Sequence, residues 1–180
     1  MTEEELISAI AQGGKQAFNE LYLKYRPKVF STAFHYLQIQ QDAEELTQDV
    51  FVEIFRSASR YNFKASLSTW IYRITVNKCL DKLRYKKAKK RFAFVAHFFT
   101  ADDHGNIPET SGDHQHSEEQ NRLLYKAIDR LPEKQKTALI LTQIEELSIK
   151  ETAAIMNTTA KAVESLTQRA KAGLKLTLKK

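Results

Sequence analysis

Several residue types and sequence patterns are rare or absent in this chain, and their rarity excludes several classes of protein. Cys79 is the only cysteine among 180 residues, so an internal disulfide is excluded and a structural thiol is predicted in preference to a redox switch. Only five glycines and three prolines occur, and no segment shows the sustained two-residue alternation of a β-strand. No apolar run approaches the roughly 18 residues of a membrane span, and the acidic start from Thr2 to Glu5 differs from a signal peptide. These absences predict an all-α, cytoplasmic protein with no membrane insertion.

Positive charge is concentrated in one segment. From Arg73 to Arg91 there are nine Lys or Arg residues and one acid, Asp81, although the formal net charge of the whole chain is only +6. The apolar residues of this segment recur at helical spacing: Ile71, Ile74, Leu80 and Leu83. A helix with this pattern can pack on one side and present cations on the other, so the segment is predicted to bind phosphates.

An acidic segment separates this basic helix from the rest of the chain. Residues 92–121 contain no Lys or Arg, but they hold six acids together with Gly105, Pro108 and Gly112. This composition predicts a linker over residues 92–120, flexible in its polar part, between helical domains at residues 1–91 and 121–180. The linker also contains four of the five histidines, but no paired cysteines accompany them, so a metal site is not expected: His97, His104, His114 and His116.

The first lobe begins with two apolar stripes, and Pro27 either opens the second of their helices or kinks one longer helix. A further helix is predicted to begin at Asp42, with Ala43, Leu46, Val50 and Ile54 turned inward. This leaves an acidic face, for which solvation, docking of a basic partner and metal binding are three interpretations. The sequence supplies no complementary ligands for a metal, and it does not separate the other two.

The second lobe contains a helix-turn-helix pattern. Ser148 and Glu151 form a capping box for a short helix over residues 149–156, and Thr159 can cap the helix that follows a turn at Asn157. Structural helix pairs of this kind are common, but a basic C-terminal patch favours DNA reading: Lys171, Lys175, Lys179 and Lys180. The outward residues of the second helix would then meet the major groove: Lys161, Glu164, Ser165, Gln168, Arg169 and Lys171.

Six stretches of sequence, taken in their order and spacing, resemble the extracytoplasmic-function (ECF) sigma factors of the bacterial sigma-70 family. In the first lobe these are FNELYLKYRPKVF, DAEELTQDVFVEIF and FKASLSTWIYRITVNKCLDKLR. In the second lobe they are AIDRLPEKQKTALIL, LSIKETAAIM and AVESLTQRAKAGL. The resemblance spans nearly the whole chain and implies sigma domain 2 at residues 1–91 and sigma domain 4 at residues 121–180. The other domains of longer family members have no counterpart here.

The resemblance also implies a function. Such proteins bind core RNA polymerase, recognise the minus-35 and minus-ten promoter elements and open the duplex, without catalytic activity or a cofactor of their own. An anti-sigma factor usually controls them, and the acidic linker is implied to thread toward the polymerase active-site and RNA-exit channels.

The resemblance assigns three sets of site residues. The helix over residues 42–55 would dock on the clamp coiled coil of the largest polymerase subunit, through Asp42, Glu45, Asp49, Val50 and Glu53. The loop over residues 62–66 resembles one that holds a flipped minus-ten base, and the full minus-ten set is Asn62, Phe63, Lys64, Ala65, Ser66, Trp70, Arg73, Asn77, Lys78 and Arg84. The outward residues of the last helix would read minus-35 duplex DNA. Many relatives carry a basic residue at the position of Glu164, so we expect Arg169 and Lys171 to be the firmer anchors.

Two rival functions come from other classes of protein. A free-standing helix-turn-helix regulator would bind operator DNA without polymerase, which explains the second lobe but leaves the first without a purpose. A nucleic-acid enzyme would hold magnesium with Asp42, Glu45 and Asp49 on one helix face. Metal-dependent nucleases usually gather their ligands from separate elements, so the promoter factor is the stronger interpretation.

Overall fold

The computed structural model describes residues 2–99 and 117–178, and within these ranges the chain is helical with no β-strand. The α-helices are α1 (Glu3–Ala11), α2 (Lys15–Leu37), α3 (Gln40–Ser57), α4 (Leu67–Phe99), α5 (Ser117–Asp129), α6 (Glu133–Leu139), α7 (Ile149–Ile155) and α8 (Ala160–Leu178). A short 3-10 turn, Ala58–Arg60, follows α3, and a π-helical turn, Ile140–Ile144, continues α6. The all-α prediction is confirmed. The predictions for the polar part of the linker, the side chain of His97, and Lys179 and Lys180 concern groups outside the described part of the chain.

Helices α1 to α4 form the first lobe. Thr2 caps α1 in a reciprocal capping box: its hydroxyl accepts the Glu5 backbone N–H at 3.2 Å, and the Glu5 carboxylate accepts the Thr2 N–H at 2.9 Å. Helix α2 packs along α3 and α4. Aromatic rings fill the α2–α3 contact, where the Tyr22 and Phe51 centroids lie 4.7 Å apart.

Pro27 lies inside α2, which continues as one helix from Lys15 to Leu37. A proline removes one backbone hydrogen bond to the carbonyl four residues earlier, here that of Leu23. Both Pro27 and Leu23 are exposed, so water can solvate this carbonyl. The structure therefore decides between the two sequence alternatives in favour of one longer helix.

Helix α4 extends beyond the predicted domain boundary. It continues through residue 91 to Phe99, so that boundary falls inside a helix. Its first half packs against α2 and α3 through Ile71, Val76 and Cys79, whereas the cationic residues 87–91 are exposed. Burial raises the pKa of the Cys79 thiol, which agrees with the predicted structural role.

Helices α5 to α8 form the second lobe, with the predicted helix-turn-helix in α7 and α8. The Ser148 hydroxyl accepts the Glu151 N–H at 3.2 Å, and the Glu151 carboxylate accepts the Ser148 N–H at 2.9 Å. Asn157 closes the turn with a left-handed φ of +50°, and Thr159 then caps α8 by accepting the Ala162 N–H at 3.2 Å. Ala153 packs with Ala138 and Val163 where α7 crosses its neighbours.

The two lobes pack against each other. Helix α4 contacts α7, α2 contacts the π-helical turn, and one apolar cluster includes buried residues of both lobes. None of the described helices combines the length and the apolar character needed to cross a bilayer.

The core of the first lobe offers a test of the α2 register. Leu21 is fully buried, whereas Leu23, two residues later, is 65% exposed. Leu21→Ala is expected to lower the free energy of unfolding by about 2–5 kcal/mol, because it leaves a cavity among packed side chains. Leu23→Ala on the same helix should change it by less than about 0.5 kcal/mol. Chemical denaturation followed by circular dichroism measures both values, and equal losses would contradict this register.

Candidate nucleic-acid interface

The loop between the 3-10 turn and α4 is built around three packed aromatic rings. The Tyr61 ring lies 4.7 Å from Phe63, edge to face, and 4.7 Å from Trp70, tilted by 33°. The Tyr61 hydroxyl donates to the Ala65 carbonyl at 2.5 Å, which ties the two ends of the loop together. The loop that the sequence assigned to the minus-ten element is thus a folded structure with its own packing.

The exposed groups of this loop suit an unpaired base. Phe63 has a left-handed φ of +57°, and its ring is 47% exposed. A bulky side chain rarely adopts this conformation, and here it leaves an aromatic surface beside the exposed side chains of Asn62 and Lys64. Aromatic rings stack with any base, and amide and ammonium groups can bond to base edges and phosphates. The arrangement can hold a single-stranded, flipped-out nucleotide.

The start of α4 is anchored to the same loop. Ser66 precedes the helix, and its hydroxyl accepts the Thr69 backbone N–H at 3.2 Å and donates to the Thr69 hydroxyl at 2.9 Å. Trp70, Arg73 and Asn77 follow at helical spacing, so they share one face of α4. The structure therefore brings the predicted loop and the predicted α4 residues onto one continuous side of the first lobe.

The second lobe covers part of this α4 face. Arg73 donates to the Ala154 carbonyl at the end of α7, from Nε at 3.0 Å and from Nη2 at 2.5 Å. Arg84 forms a bidentate ion pair with the Glu133 carboxylate of α6, in which Nε donates at 3.2 Å and Nη2 donates at 2.7 Å. The hydrogen bond from Arg84 holds the pKa of Glu133 below its usual value. Two of the cations that the resemblance assigns to minus-ten DNA are thus engaged by groups of the second lobe in this structure.

The acidic face of α3 is partly neutralised by lysines of α4. Lys82 lies 3.1 Å from both Asp42 and Glu45, Lys86 also pairs with Asp42, and Lys78 lies 3.7 Å from Glu53. Burial opposes ionisation of Asp42, but hydrogen bonds from Lys86 and Lys82 outweigh it and keep the pKa of this carboxyl below normal. These ion pairs join α3 to α4.

Val50 requires a correction. The family resemblance placed it among the polymerase contacts, but the helical spacing predicted it to turn inward, and its side chain is fully buried, with Leu46 and Ile54 also in the core. The helical period that turns residues 46 and 54 inward turns residue 50 inward as well. Val50 therefore belongs to the core, and it cannot contact a partner directly while α3 keeps this packing.

Two exposed apolar residues of α3 were missed by the sequence analysis. Val52 and Phe55 are each 47% exposed, and they share the outer face with the exposed Asp49. The Phe55 ring rests edge-on against Phe18 at 5.6 Å, which limits its motion. Both residues fall outside the inward apolar stripe of α3. An apolar residue outside such a stripe indicates an exposed apolar surface, and this departure from the helical period was the signal in the sequence that could have identified them.

The outward face of α8 agrees with the sequence pattern. Five of the six residues predicted to read DNA are exposed, and Ser165 is half-buried: Lys161, Glu164, Gln168, Arg169 and Lys171 are the exposed five. Val163, Thr167 and Ala170 are buried on the opposite side. The fold of the second lobe therefore presents one continuous polar surface along α8 that a major groove can accommodate.

Comparisons with known proteins match both lobes. A model of Sigma-70 region 2 matches residues 21–89, and a model of Sigma-70 region 4 matches residues 121–174. The ECF RNA polymerase sigma-E factor of Haemophilus influenzae is 30% identical over 175 residues, which cover 95% of this chain and 92% of that protein.

Two solved structures share the fold over most of the chain. CnrH, in complex with the cytosolic domain of CnrY, aligns with a TM-score of 0.68 at 22% identity and covers 98% of this chain and 97% of its own. The sigma factor RpoE of Bartonella quintana, in a co-crystal with the anti-sigma factor NepR, aligns with a TM-score of 0.61 at 22% identity. That alignment covers 90% of this chain and 96% of the RpoE chain.

Proposed function

The chain belongs to the ECF sigma factors of the sigma-70 family, and from this premise we propose which of its surfaces bind polymerase and which recognise each promoter element. As a member of this family it is a DNA-binding transcription initiation factor, which binds core RNA polymerase and recognises the minus-35 and minus-ten elements. We assign sigma domain 2 to residues 1–91, a linker to residues 92–120 and sigma domain 4 to residues 121–180. In our proposal the chain has no catalytic activity of its own and acts beside polymerase in the cell interior.

Polymerase docking is assigned to the outer face of α3. Asp49 supplies exposed charge there. Val52 and Phe55 supply apolar surface, and each of them is about half exposed to solvent. Exposed aromatic residues that are held in place by a neighbour are efficient contacts, because little side-chain entropy is lost on binding. Asp42, Glu45 and Glu53 contribute at the edge of this face, where lysines of α4 already share their charge.

Minus-ten recognition is assigned to the loop over residues 62–66 and the adjoining face of α4. The observation that carries this assignment is the half-exposed, left-handed Phe63 beside Tyr61 and Trp70. Extruding a base costs a few kcal/mol, and stacking plus edge hydrogen bonds can offset this cost without ATP. Asn77 extends this surface along α4, Lys78 joins it by exchanging its contact with Glu53 of α3, and Arg73 and Arg84 join it when they are released from the second lobe.

Minus-35 recognition is assigned to α8. Arg169 and Lys171 lie on its exposed face, where they can anchor phosphates or guanine edges, and Ser165 and Gln168 can bond to other bases. Glu164 repels phosphate but can accept a hydrogen bond from a cytosine amino group. We therefore expect Glu164 to select sequence more than it adds affinity.

An anti-sigma factor is the regulatory partner that the family suggests. The RpoE structure of Bartonella quintana contains one, NepR, on a chain of the same fold. In our proposal such a protein would bind this chain on surfaces that polymerase also needs, including the outer face of α3.

Transcription start mapping tests the function as a whole. We expect this chain, added to core RNA polymerase on genomic DNA, to produce discrete starts that core polymerase alone does not give. Aligning the upstream sequences would then define both promoter elements. Binding to operator DNA without association with polymerase would favour the rival regulator.

Substitutions in the minus-ten surface should separate promoter opening from polymerase binding. Asn77→Ala and Lys64→Ala are expected to reduce open-complex formation, detected by permanganate footprinting, while core binding stays within about twofold of the wild type. Lys126→Ala removes an exposed lysine from α5 and is the charge-matched control. Open complexes at wild-type levels in both variants would remove the loop and α4 from minus-ten recognition.

Arg169→Ala should weaken binding to minus-35 duplex DNA. The expected loss is about 1–3 kcal/mol, with the slope of affinity against salt lower by about one if the contact is to phosphate. Arg122→Ala, which removes an exposed arginine of α5, is the matched control and should leave the affinity unchanged. Fluorescence anisotropy at several salt concentrations measures both quantities. An unchanged Arg169→Ala affinity would mean that α8 does not read this element.

A further inference from the structure

The hydrogen bonds within the loop over residues 62–66 determine which of its polar groups can contact a base. The Asn62 side-chain oxygen accepts the Lys64 backbone N–H at 3.3 Å, so this oxygen is turned toward the backbone of the loop itself. An N–H group can be met only by the oxygen of an amide, because the amide nitrogen donates and does not accept. The contact therefore fixes the orientation of the amide, and the Asn62 NH₂ group, a donor, is the part that remains for a ligand.

The other polar groups of the loop have partners or are donors as well. The Tyr61 hydroxyl donates to the Ala65 carbonyl at 2.5 Å, so this carbonyl is already engaged. The Ser66 hydroxyl accepts the Thr69 backbone N–H at 3.2 Å and donates to the Thr69 hydroxyl at 2.9 Å. Lys64 is exposed, and its ammonium group donates and never accepts. Among the side chains of this loop, the groups that remain for a base are therefore hydrogen-bond donors.

The four bases differ in what they offer to two neighbouring donors. On the base-pairing edge, cytosine has two adjacent acceptors, N3 and O2, beside one amino group. Thymine has two acceptors separated by an N–H group, adenine has one acceptor beside an amino group, and guanine has one acceptor beside two donors. A flipped base is read on this edge, and a donor that faces another donor loses its hydrogen bond to water without replacing it. Cytosine is therefore the base that fits two neighbouring donors best.

We propose that this loop selects cytosine as the flipped minus-ten base, and that Asn62, oriented by the Lys64 backbone N–H, determines the selection. The inference rests on the proposed assignment of the loop to the minus-ten element. The Phe63 ring stacks on a base of any identity and contributes affinity. Asn62 and Lys64 donate to N3 and O2, and the same two groups disfavour a base that presents a donor to them.

Base preference can be measured on the complex of this chain with core polymerase. Single-stranded oligonucleotides carry the mapped minus-ten element, each position is varied through the four bases, and fluorescence anisotropy gives the affinities. We expect one position at which cytosine binds at least about tenfold more tightly than adenine or guanine. In Asn62→Ala this preference should fall to about threefold or less at that position and stay unchanged at the others. A preference for a purine at the position that responds to Asn62→Ala would overturn the proposal.

A cytosine analogue without its amino group tests whether the loop offers only donors. The base 2-pyrimidinone keeps N3 and O2 but lacks the exocyclic amino group. At the responding position it should bind within about threefold of cytosine, because no acceptor of the loop is then left without a partner. A loss of about tenfold or more would mean that an acceptor reads the amino group, which contradicts the proposal.

Asn62→Asp should change the preferred base instead of abolishing the preference. Aspartate has nearly the same size and keeps an oxygen that can accept the Lys64 N–H, but it replaces the NH₂ donor with a second acceptor. A carboxylate can accept from the two adjacent donors of guanine, so the preferred base should change from cytosine to guanine. The added charge repels phosphate and lowers the affinity for every base, so the ratio of affinities is the quantity to compare. Asn121→Asp adds the same charge at an exposed position of α5 and should leave the ratio unchanged.

These measurements separate the selection of cytosine from the assignment on which it rests. Equal affinities for the four bases in the wild-type complex would overturn the selection, and so would an unchanged cytosine preference in both Asn62 variants. Circular dichroism of each variant verifies that it keeps the helical fold. If Asn62→Ala and Lys64→Ala change neither the affinity for any oligonucleotide nor promoter opening, the minus-ten assignment itself is wrong.

Discussion

The surfaces of the first lobe all depend on the helical period of α4. One side of this helix buries Ile71, Val76 and Cys79 against α2 and α3. On a second side, Lys82 and Lys86 contact the carboxylates of α3. On a third side, Arg73 and Asn77 line a cleft between α4 and the second lobe. Because 3.6 residues make one turn, a single segment can support the core, fix its neighbour and present a DNA surface. An insertion of one residue within α4 would rotate every residue beyond it by about 100° relative to the residues before it, and the three sides would no longer be continuous.

The ion pairs between α3 and α4 also determine what α3 can offer to another protein. Carboxylates that already share lysines lose those contacts, or must share them, when a basic partner arrives. The exposed Asp49, the half-exposed Phe55 ring and the half-exposed Val52 side chain have, within the described part of the chain, no such contacts to lose when a partner binds. The resemblance implied an acidic docking helix, whereas the structure describes a mixed surface in which the exposed Val52 and Phe55 lie beside Asp49.

Local patterns in the sequence were sufficient to predict the all-α class, the helix pair α7 and α8 with its capping box at Ser148, and the exposed face of α8, because each depends on residues a few positions apart. Two features depend on more distant information. The continuation of α2 through Pro27 depends on which side of the helix meets water. The burial of Val50, by contrast, follows from the local helical period, and only its place in a family motif suggested a partner contact. The contacts of Arg73 with Ala154 and of Glu145 with Ser31 join residues 81 and 114 positions apart, and no spacing rule within one helix reports on them.

The fixed frame of the aromatic loop has a consequence for how promoter preference can change over evolution. The Tyr61 to Ala65 hydrogen bond and the Trp70 ring hold the loop in shape, and the Asn62 side-chain oxygen accepts the Lys64 backbone N–H at 3.3 Å, while both residues remain exposed. Under the proposed minus-ten assignment, stacking accepts all four nucleobases, and discrimination among them depends on the side chains of Asn62 and Lys64. Under that same assignment, replacement of one or two loop residues would give a descendant protein a new set of target genes without altering the fold or its attachment to the transcription machinery.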